Sequence, residues 1–366
     1  MSLALDITVF DSAKLVIKGT YKLFSYDIQM DALSNVTSSF TIDKNTNIMT
    51  GDYVAVRPNN STTLMYYGQI ITVDVDDSSN LMTLSANCIW NLLNGDIIVG
   101  SKSGDSYEAH ILKLINNYIN SNIGTNLLNK GLTNSTNTAF QVTSSDGIST
   151  SNFIDYLIRG FKLHNTVFEV TGVGQGISNG IPFYYPKIDF HQVKDTWNFK
   201  NDVYDFNNWV VSDSRNLRNY NNELWIVDQA STDMESPTVL ARYWLTKDGS
   251  ISKSLTDSVA KPTQVQIYLF DKTATDNPTY ESIAQSNLSA NTYSHSIQFS
   301  AQLGNNFLPL EKVKLGLQSN IYYDNTQYKS VLTAYSIDSS SEVVNLTFGN
   351  LRFGRNDLFS TTNYEE

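Results

Sequence analysis

The sequence predicts an α+β, mostly β chain in which two small β-barrel-like domains are joined by a mixed α/β middle. Three observations carry this. Apolar and polar residues alternate with period two through the first hundred residues, the period lengthens to that of amphipathic helices after residue 105, and short strand patterns return from about residue 260. The expected divisions are 1–100 for the first barrel-like domain and 101–190 for a middle domain with two helices. Aromatic and Asp-rich connecting strands follow at 191–230, then a second barrel-like domain at 231–350 and a C-terminal tail at 351–366.

In the first domain the strand patterns are Leu15-Val16-Ile17, Ser38 to Asp43, Tyr53 to Val56, Tyr67 to Val75 and Leu81 to Ala86. Turn signals separate them: Thr50-Gly51-Asp52, Pro58-Asn59-Asn60-Ser61, and Asp76-Asp77-Ser78-Ser79-Asn80, which predicts a hairpin. Consecutive short hairpins favour a compact barrel or sandwich. Asp105 is placed to cap a helix and Glu108 to complete its capping box, with Tyr107, Ile111, Leu114, Ile115 and Tyr118 on one face. The polar stretch Asn120 to Ser145 reads as a surface excursion. A second helix is expected from Ser151 or Asn152, burying Phe153, Leu157 and Ile158 and ending near Arg159-Gly160, where glycine suits a left-handed cap.

A strand over Thr166 to Val170 is expected next, then a glycine-rich tip over Gly172 to Gly180, then Ile181 to Phe190. Pro182 and Pro186 confine that last segment to an edge. Further strands are expected at Leu224 to Val227, Val265 to Phe270, Tyr293 to Phe299, Lys312 to Leu317, Ser330 to Ile337 and Val343 to Phe348. No repeat of fixed period appears, which excludes a solenoid or propeller reading.

With 366 residues the chain has enough length for two or three units at about 150 residues each, and for a core that needs no staples. Cys88 is the single cysteine, so an intramolecular disulfide or an all-thiolate zinc site is excluded. The first ten residues, MSLALDITVF, lack a basic segment followed by an apolar run, and no stretch has the ~18 apolar residues of a membrane span. A soluble protein made in a cytoplasm is therefore expected. The net charge of −11 argues against sequence-specific nucleic-acid binding, because phosphate contacts need clustered cations.

Candidate chemistry is sparse. His110, His164, His191 and His295 have no partners at metal-ligand spacing. Asp74, Asp76 and Asp77 form the densest acidic cluster, but lack an EF-hand ladder and read as a hairpin turn. Asp202, Asp205 and Asp213, interleaved with Tyr204, Phe206 and Trp209, carry two readings. One is a sugar-processing cleft, in which two carboxylates flank the scissile bond; the other, favoured by the lack of a glycosidase motif, is an aromatic subunit interface. Gly172-Val173-Gly174-Gln175-Gly176 fails as a phosphate loop, since no helix follows it and no Lys-Ser/Thr pair is present. No catalytic, metal-binding or cofactor-binding residue is assigned, and no cofactor is expected.

Two stretches carry a family likeness. The first is Ser38-Ser39-Phe40-Thr41-Ile42, Gly51-Asp52-Tyr53-Val54-Ala55-Val56, Tyr67-Gly68-Gln69-Ile70-Ile71 and Leu81-Met82-Thr83-Leu84-Ser85-Ala86. The second is Leu310 to Leu315, Ser330 to Ile337, and Val343 to Phe353 with its Leu346-Thr347-Phe348-Gly349 ending. Together with the helix Ser151 to Phe161 they resemble the tail-hub family of phages: the hub of contractile tails, and the amino-terminal part of siphophage tail-associated lysins in its short lactococcal-type baseplate form.

The resemblance implies a homotrimer whose barrel-like domains alternate around a pseudo-sixfold ring. It also implies docking on the distal tail protein, a channel closed or gated for tape-measure protein and DNA, receptor-binding proteins as further neighbours, and a place at the tail tip of the virion. Many long relatives carry a peptidoglycan-degrading module beyond the hub. This chain ends at Thr361-Thr362-Asn363-Tyr364-Glu365-Glu366, so a structural role without enzymatic activity is expected. The competing readings are a cell-wall hydrolase acting through Asp202, Asp205 and Asp213, and a receptor module gripping saccharide through Tyr and Trp.

Overall fold

The computed structural model describes residues 3–59, 61–99, 106–119, 131–138, 149–213, 221–246, 250–259, 261–273, 279–289, 295–303, 308–341, 343–349 and 351. Strands β1 to β7 are Leu5–Phe10, Ile17–Lys22, Ser25–Asp31, Thr37–Asp43, Tyr53–Pro58, Tyr66–Asp76 and Leu81–Cys88. After β8 (Asp96–Val99) come α1 (Tyr107–Leu114, extended by one wide turn over Ile115–Ile119), β9 (Leu132–Asn134), β10 (Ser149–Asn152) and α2 (Phe153–His164). The chain continues through β11 (Thr166–Ser178), β12 (Ile181–Gln192), β13 (Thr196–Lys200), β14 (Phe206–Ser212), β15 (Glu223–Asp228), β16 (Val239–Leu245), β17 (Ile251–Ser252) and β18 (Val265–Phe270). It closes with α3 (Tyr280–Ser289), β19 (Ser296–Gln302), β20 (Gln318–Tyr323), β21 (Thr326–Asp338) and β22 (Val343–Gly349).

The chain is mostly β, as expected, but the expected barrels do not close. Thirteen strands form one open sheet along the path β14-β19-β22-β21-β3-β4-β7-β6-β5-β1-β2, with β20 joined to β21 and β13 to β20. The reason lies in β21. Its first half pairs with β20 up to Val331 and its second half with β3 from Ala334, so one strand bent at a register shift joins the first and last parts of the chain. Three smaller sheets, β10-β8, β11-β12-β9 and β17-β16-β15-β18, complete the described structure.

Period-two patterning places the core. On β4, Ser38, Phe40 and Ile42 face inward and the intervening threonine and serine face outward; opposite them β7 buries Leu84 and Met82. The predicted hairpin forms as β6 and β7, with Asp76 opposite Leu81. The Gly51-Asp52 pair acts as a clamp. Gly51 takes φ +96°, which glycine adopts without steric cost. Asp52 is fully buried: its carboxylate accepts from the Met49 amide (2.9 Å), the Ser12 amide (3.2 Å) and the Lys18 ammonium (2.8 and 3.0 Å). One side chain thereby ties the β1–β2 turn to the entry of β5.

Several local expectations are corrected. Leu15 does not start a strand; it closes a turn at φ 57° in which Asp11 accepts from the Ala13 and Lys14 amides, and β2 begins at Ile17. Helix α1 is capped by Ser106, whose hydroxyl accepts from the Ala109 amide, while Asp105 lies outside the described residues. Helix α2 runs past Gly160 to His164, where Asn165 takes the left-handed cap at φ 54°. Gly160 serves packing instead: a Cβ there would stand 2.0 Å from the Tyr107 hydroxyl, which donates to the Tyr156 carbonyl at 2.8 Å.

Lys312 to Leu317 is not a strand. Pro309 starts a 3-10 turn over Leu310–Lys312, Gly316 takes φ +82°, and β20 begins only at Gln318. The glycine-rich segment 172–178 is strand rather than tip, paired with β12 as far as Ser178 opposite Ile181. Pro182 and Pro186 do lie on an edge, because β9 reaches only Ile188 to Phe190 of β12.

The aromatic 197–220 region, as far as it is described, supplies core through Phe199 and Phe206, while Tyr204 and Val210 stay exposed. Phe199 and Phe206 are buried with Phe299 and Phe348, and Trp209 stacks on Phe299 at 4.1 Å.

Replacing Asp52 by Ala removes the acceptor of two amides and leaves the Lys18 ammonium only the Asn47 carbonyl and the more distant Asp11, and is expected to cost about 3 kcal/mol or more. Asp52→Asn should fall between that and the parent protein. Gly160→Ala forces Tyr107 out of place and should cost about 1–3 kcal/mol. Urea unfolding followed by far-ultraviolet circular dichroism measures all three.

Candidate assembly site

The structure places most of the sequence's chemical candidates in supporting roles. His110 is buried, with Nδ1 2.9 Å from the Tyr156 hydroxyl. His164 ends α2 against the Tyr107 ring, where burial holds its pKa below the usual imidazole value despite the opposing pull of Glu108. His295 is fully buried, with Nε2 2.8 Å from the Ser330 hydroxyl.

The acidic cluster is the hairpin turn that its sequence implied. Asp76 accepts from the Ser78 hydroxyl (2.6 Å), the Ser79 hydroxyl (2.7 Å) and the Ser78 amide (2.9 Å), and these bonds hold its carboxyl down at about 2. Asp77 pairs with Lys44. Cys88 is buried, which pushes its thiol up to about 11 and leaves no thiolate at neutral pH.

Asp202, Asp205 and Asp213 do not converge. Asp205 and Asp213 lie at opposite ends of β14, and seven residues at about 3.3 Å each put them roughly 20 Å apart. Glycosidase carboxylates stand about 5–9.5 Å apart. Asp202 and Asp205 lie instead in the turn that enters β14, beside Tyr204, which is 89% exposed.

Sequence reasoning missed a charged group assembled by the β11–β12 ladder. Glu169 and Asp189 are directly opposite in register, and His191 lies two residues beyond Asp189 on the same face. The imidazole sits between the two carboxylates, with Nε2 3.4 Å from Glu169 and Nδ1 3.2 Å from Asp189. Asp189 also accepts from Ser135 (2.5 Å) and Thr133 (2.8 Å), and Glu169 accepts from Lys314 (2.5 Å). Both ring nitrogens face carboxylates and none faces a hydroxyl or thiol, so the arrangement holds elements together rather than activating a nucleophile. Among the described residues no group of three or more His, Cys, Asp or Glu is placed to hold a metal ion. The period-two spacing of Asp189 and His191 was visible in sequence; their pairing with Glu169 required the register.

Beside this group is a cavity of about 310 Å³, walled by Met30, Met65, Tyr67, Val170, Val313 and Tyr335. Burial raises the phenol pKa of both Tyr67 and Tyr335 far above neutrality, so these two walls stay uncharged, and the Glu169 carboxylate that also lines the cavity is paired with Lys314. Exposed Thr63, Glu311 and Lys314 mark its mouth. A shape of this kind takes an apolar side chain better than a charged substrate. The described helices include none long and apolar enough to cross a membrane.

No protein-family model and no curated protein sequence matches the chain. Solved structures do. The tail protein from Neisseria meningitidis MC58 aligns with a TM-score of 0.53 and 10% identity, over 94% of this chain and 96% of that one. The 43 kDa tail protein of prophage MuSo2 from Shewanella oneidensis aligns with a TM-score of 0.53 and 8% identity, over 94% of this chain and 98% of that one. A chain of the phage P2 baseplate in its activated conformation with Ca aligns at 15% identity and a TM-score of 0.49, over 95% and 99% of the two chains. The chain has the fold of phage tail proteins, and the resemblance read from its sequence holds at that level.

Glu108 offers a test of the electrostatics. Burial pushes its carboxyl up, but bonds from the Thr138 hydroxyl and amide and from the Thr136 hydroxyl outweigh it and hold the pKa below the usual 4.5. A depressed carboxyl stabilises the fold above the unfolded-state pKa and loses that contribution as pH falls through the folded one. Unfolding midpoints should therefore fall on acidification below about 4.5. Glu108→Gln should be less stable at pH 7 and show a shallower acid slope; equal slopes in thermal melts from pH 7 to 3 would refute the assignment.

Proposed function

We propose that this chain is the structural hub of a phage tail tip or baseplate. In this reading it forms a homotrimer, docks on the distal tail protein, and closes or gates the tail channel through which tape-measure protein and DNA leave. Receptor-binding proteins are further neighbours, and the working location is the virion.

The observation that carries the reading is the extent of the likeness. The two tail proteins are matched over 96% and 98% of their own lengths, so the whole body is shared, not one module. A fold by itself does not assign a function. The other support is the separation of Asp213 from Asp205 across β14, which leaves the three carboxylates of the hydrolase reading without a common site. The net charge of −11 also suits a ring that lets a phosphate backbone pass without holding it.

The purified chain should scatter light as a particle of three times its 41.0 kDa mass, and should be retained by an immobilised distal tail protein from the same phage. A monomer at every concentration tested, together with no retention, would defeat the proposal.

A further inference from the structure

The glycine motif that failed as a phosphate loop builds a finger. Between Glu169 and Lys187 no residue carries a charge. Strands β11 and β12 stay paired to Ser178 opposite Ile181, and Asn179 and Gly180 close the turn with φ 52° and 77°, as a two-residue hairpin turn requires. Alternate glycines are filled from across the ladder: a Cβ on Gly174 would meet the Tyr185 ring at 2.5 Å, and one on Gly176 the Phe183 ring at 2.4 Å. Aromatic rings therefore cover the glycines and stiffen the ribbon. Phe183 is buried in the main core and the Tyr184 amide donates to the Leu15 carbonyl at 2.8 Å, which anchors the finger just below its tip.

Beyond that anchor every residue from Ile177 to Pro182 is exposed. Ile177 is 73% exposed and Ile181 60%. Ile181 lies opposite Ser178 and Ile177 opposite Pro182, so the two isoleucines project from opposite faces of the ribbon. A flat surface covers only one face, whereas a socket covers both. The hairpin has no Lys or Arg to attract lipid phosphates, and the chain is acidic, which disfavours a bilayer as the surrounding medium.

The same chain supplies a socket. The cavity of about 310 Å³ is open at Thr63, Glu311 and Lys314, and within it the one charged side chain, Glu169, is paired with Lys314 while the remaining lining is largely apolar. It is about twice the ~150 Å³ of an apolar cavity that accepts benzene. We propose that the Ile177–Ile181 tip of one copy of this chain seats in the Met65/Tyr67/Val313 cavity of the next copy. Tip and socket are different surfaces, so the contact is head-to-tail and generates a ring where the rotation closes. This rests on the trimeric hub reading and specifies its subunit contact.

Two experiments test it on the full-length chain. Ile177→Ser/Ile181→Ser alters exposed positions, so circular dichroism should match the parent while the concentration for half-dissociation, followed by light scattering, rises at least tenfold per buried isoleucine. Separately, Thr63→Cys and Ile177→Cys proteins are mixed and treated with a short bismaleimide; a covalent two-chain product requiring both variants is expected. A parent trimer that the double serine variant leaves intact, with no mixed product, overturns this contact and leaves the hub reading standing. A parent that stays monomeric overturns both. Flotation of the parent, but not the serine variant, with phosphatidylcholine/phosphatidylglycerol vesicles and an unchanged oligomer would assign the tip to lipid and also overturn the contact.

Discussion

The ladder between β3 and β21 is the constraint on which the rest of this molecule depends. It pairs Asp27 to Asp31 with Ala334 to Asp338, about as far apart in sequence as the chain allows. Reciprocal bonds extend it at both ends: the Ser339 amide donates to the Tyr26 carbonyl, and the Ala32 amide to the Thr333 carbonyl. Closing a loop of that length carries an entropic cost that grows only slowly with length. The main core then forms across the join, with Ile28 and Phe40 from one side and Leu332, Ile337 and Phe348 from the other.

Two devices make that join rigid. Asp52, with its three donors, locks the loops at one end of the sheet. The aromatic cluster of Phe199, Phe206, Phe299 and Phe348 locks the other, the last two rings nearly parallel at 5.5 Å. Between them the helical middle sits on its own core of Ile111, Phe153, Tyr156 and Phe190. It meets the large sheet along the cavity and the Glu169–Lys314 ion pair. A surface pair of this kind adds at most about 1 kcal/mol, so apolar contact carries that joint. Phe183, buried in the main core, and Phe161 and Val167, packed with Val331, supply that contact.

Much of this was legible from residues alone, where a local period decides the outcome. Alternation located β4, β5, β6 and β7, and the apolar stripe of α1 marked Tyr107, Ile111, Leu114 and Ile115 as buried. Expectations failed where a distant partner overrides a local preference. Glu108 satisfies a capping box by spacing, yet turns inward because Thr136 and Thr138 offer its carboxylate three hydrogen bonds. Gly160 has the composition of a helix end, but lies mid-helix because Tyr107 leaves no room for a Cβ. Asp202, Asp205 and Asp213 looked clustered in sequence, and an extended strand separates Asp213 from the other two.

By itself the sequence determined the mostly β character, the two helices of the middle, the hairpin at Asp76 and the family likeness. Each depends on composition or on spacings of a few residues. Only the tertiary structure decided that the two ends of the chain share one open sheet, that the aromatic stretch forms core, and that Glu169 meets His191 and Asp189. Strand order and register are set by pairings between residues far apart in the chain. A period of two states which face of a strand is apolar, and leaves open which strand will lie beside it.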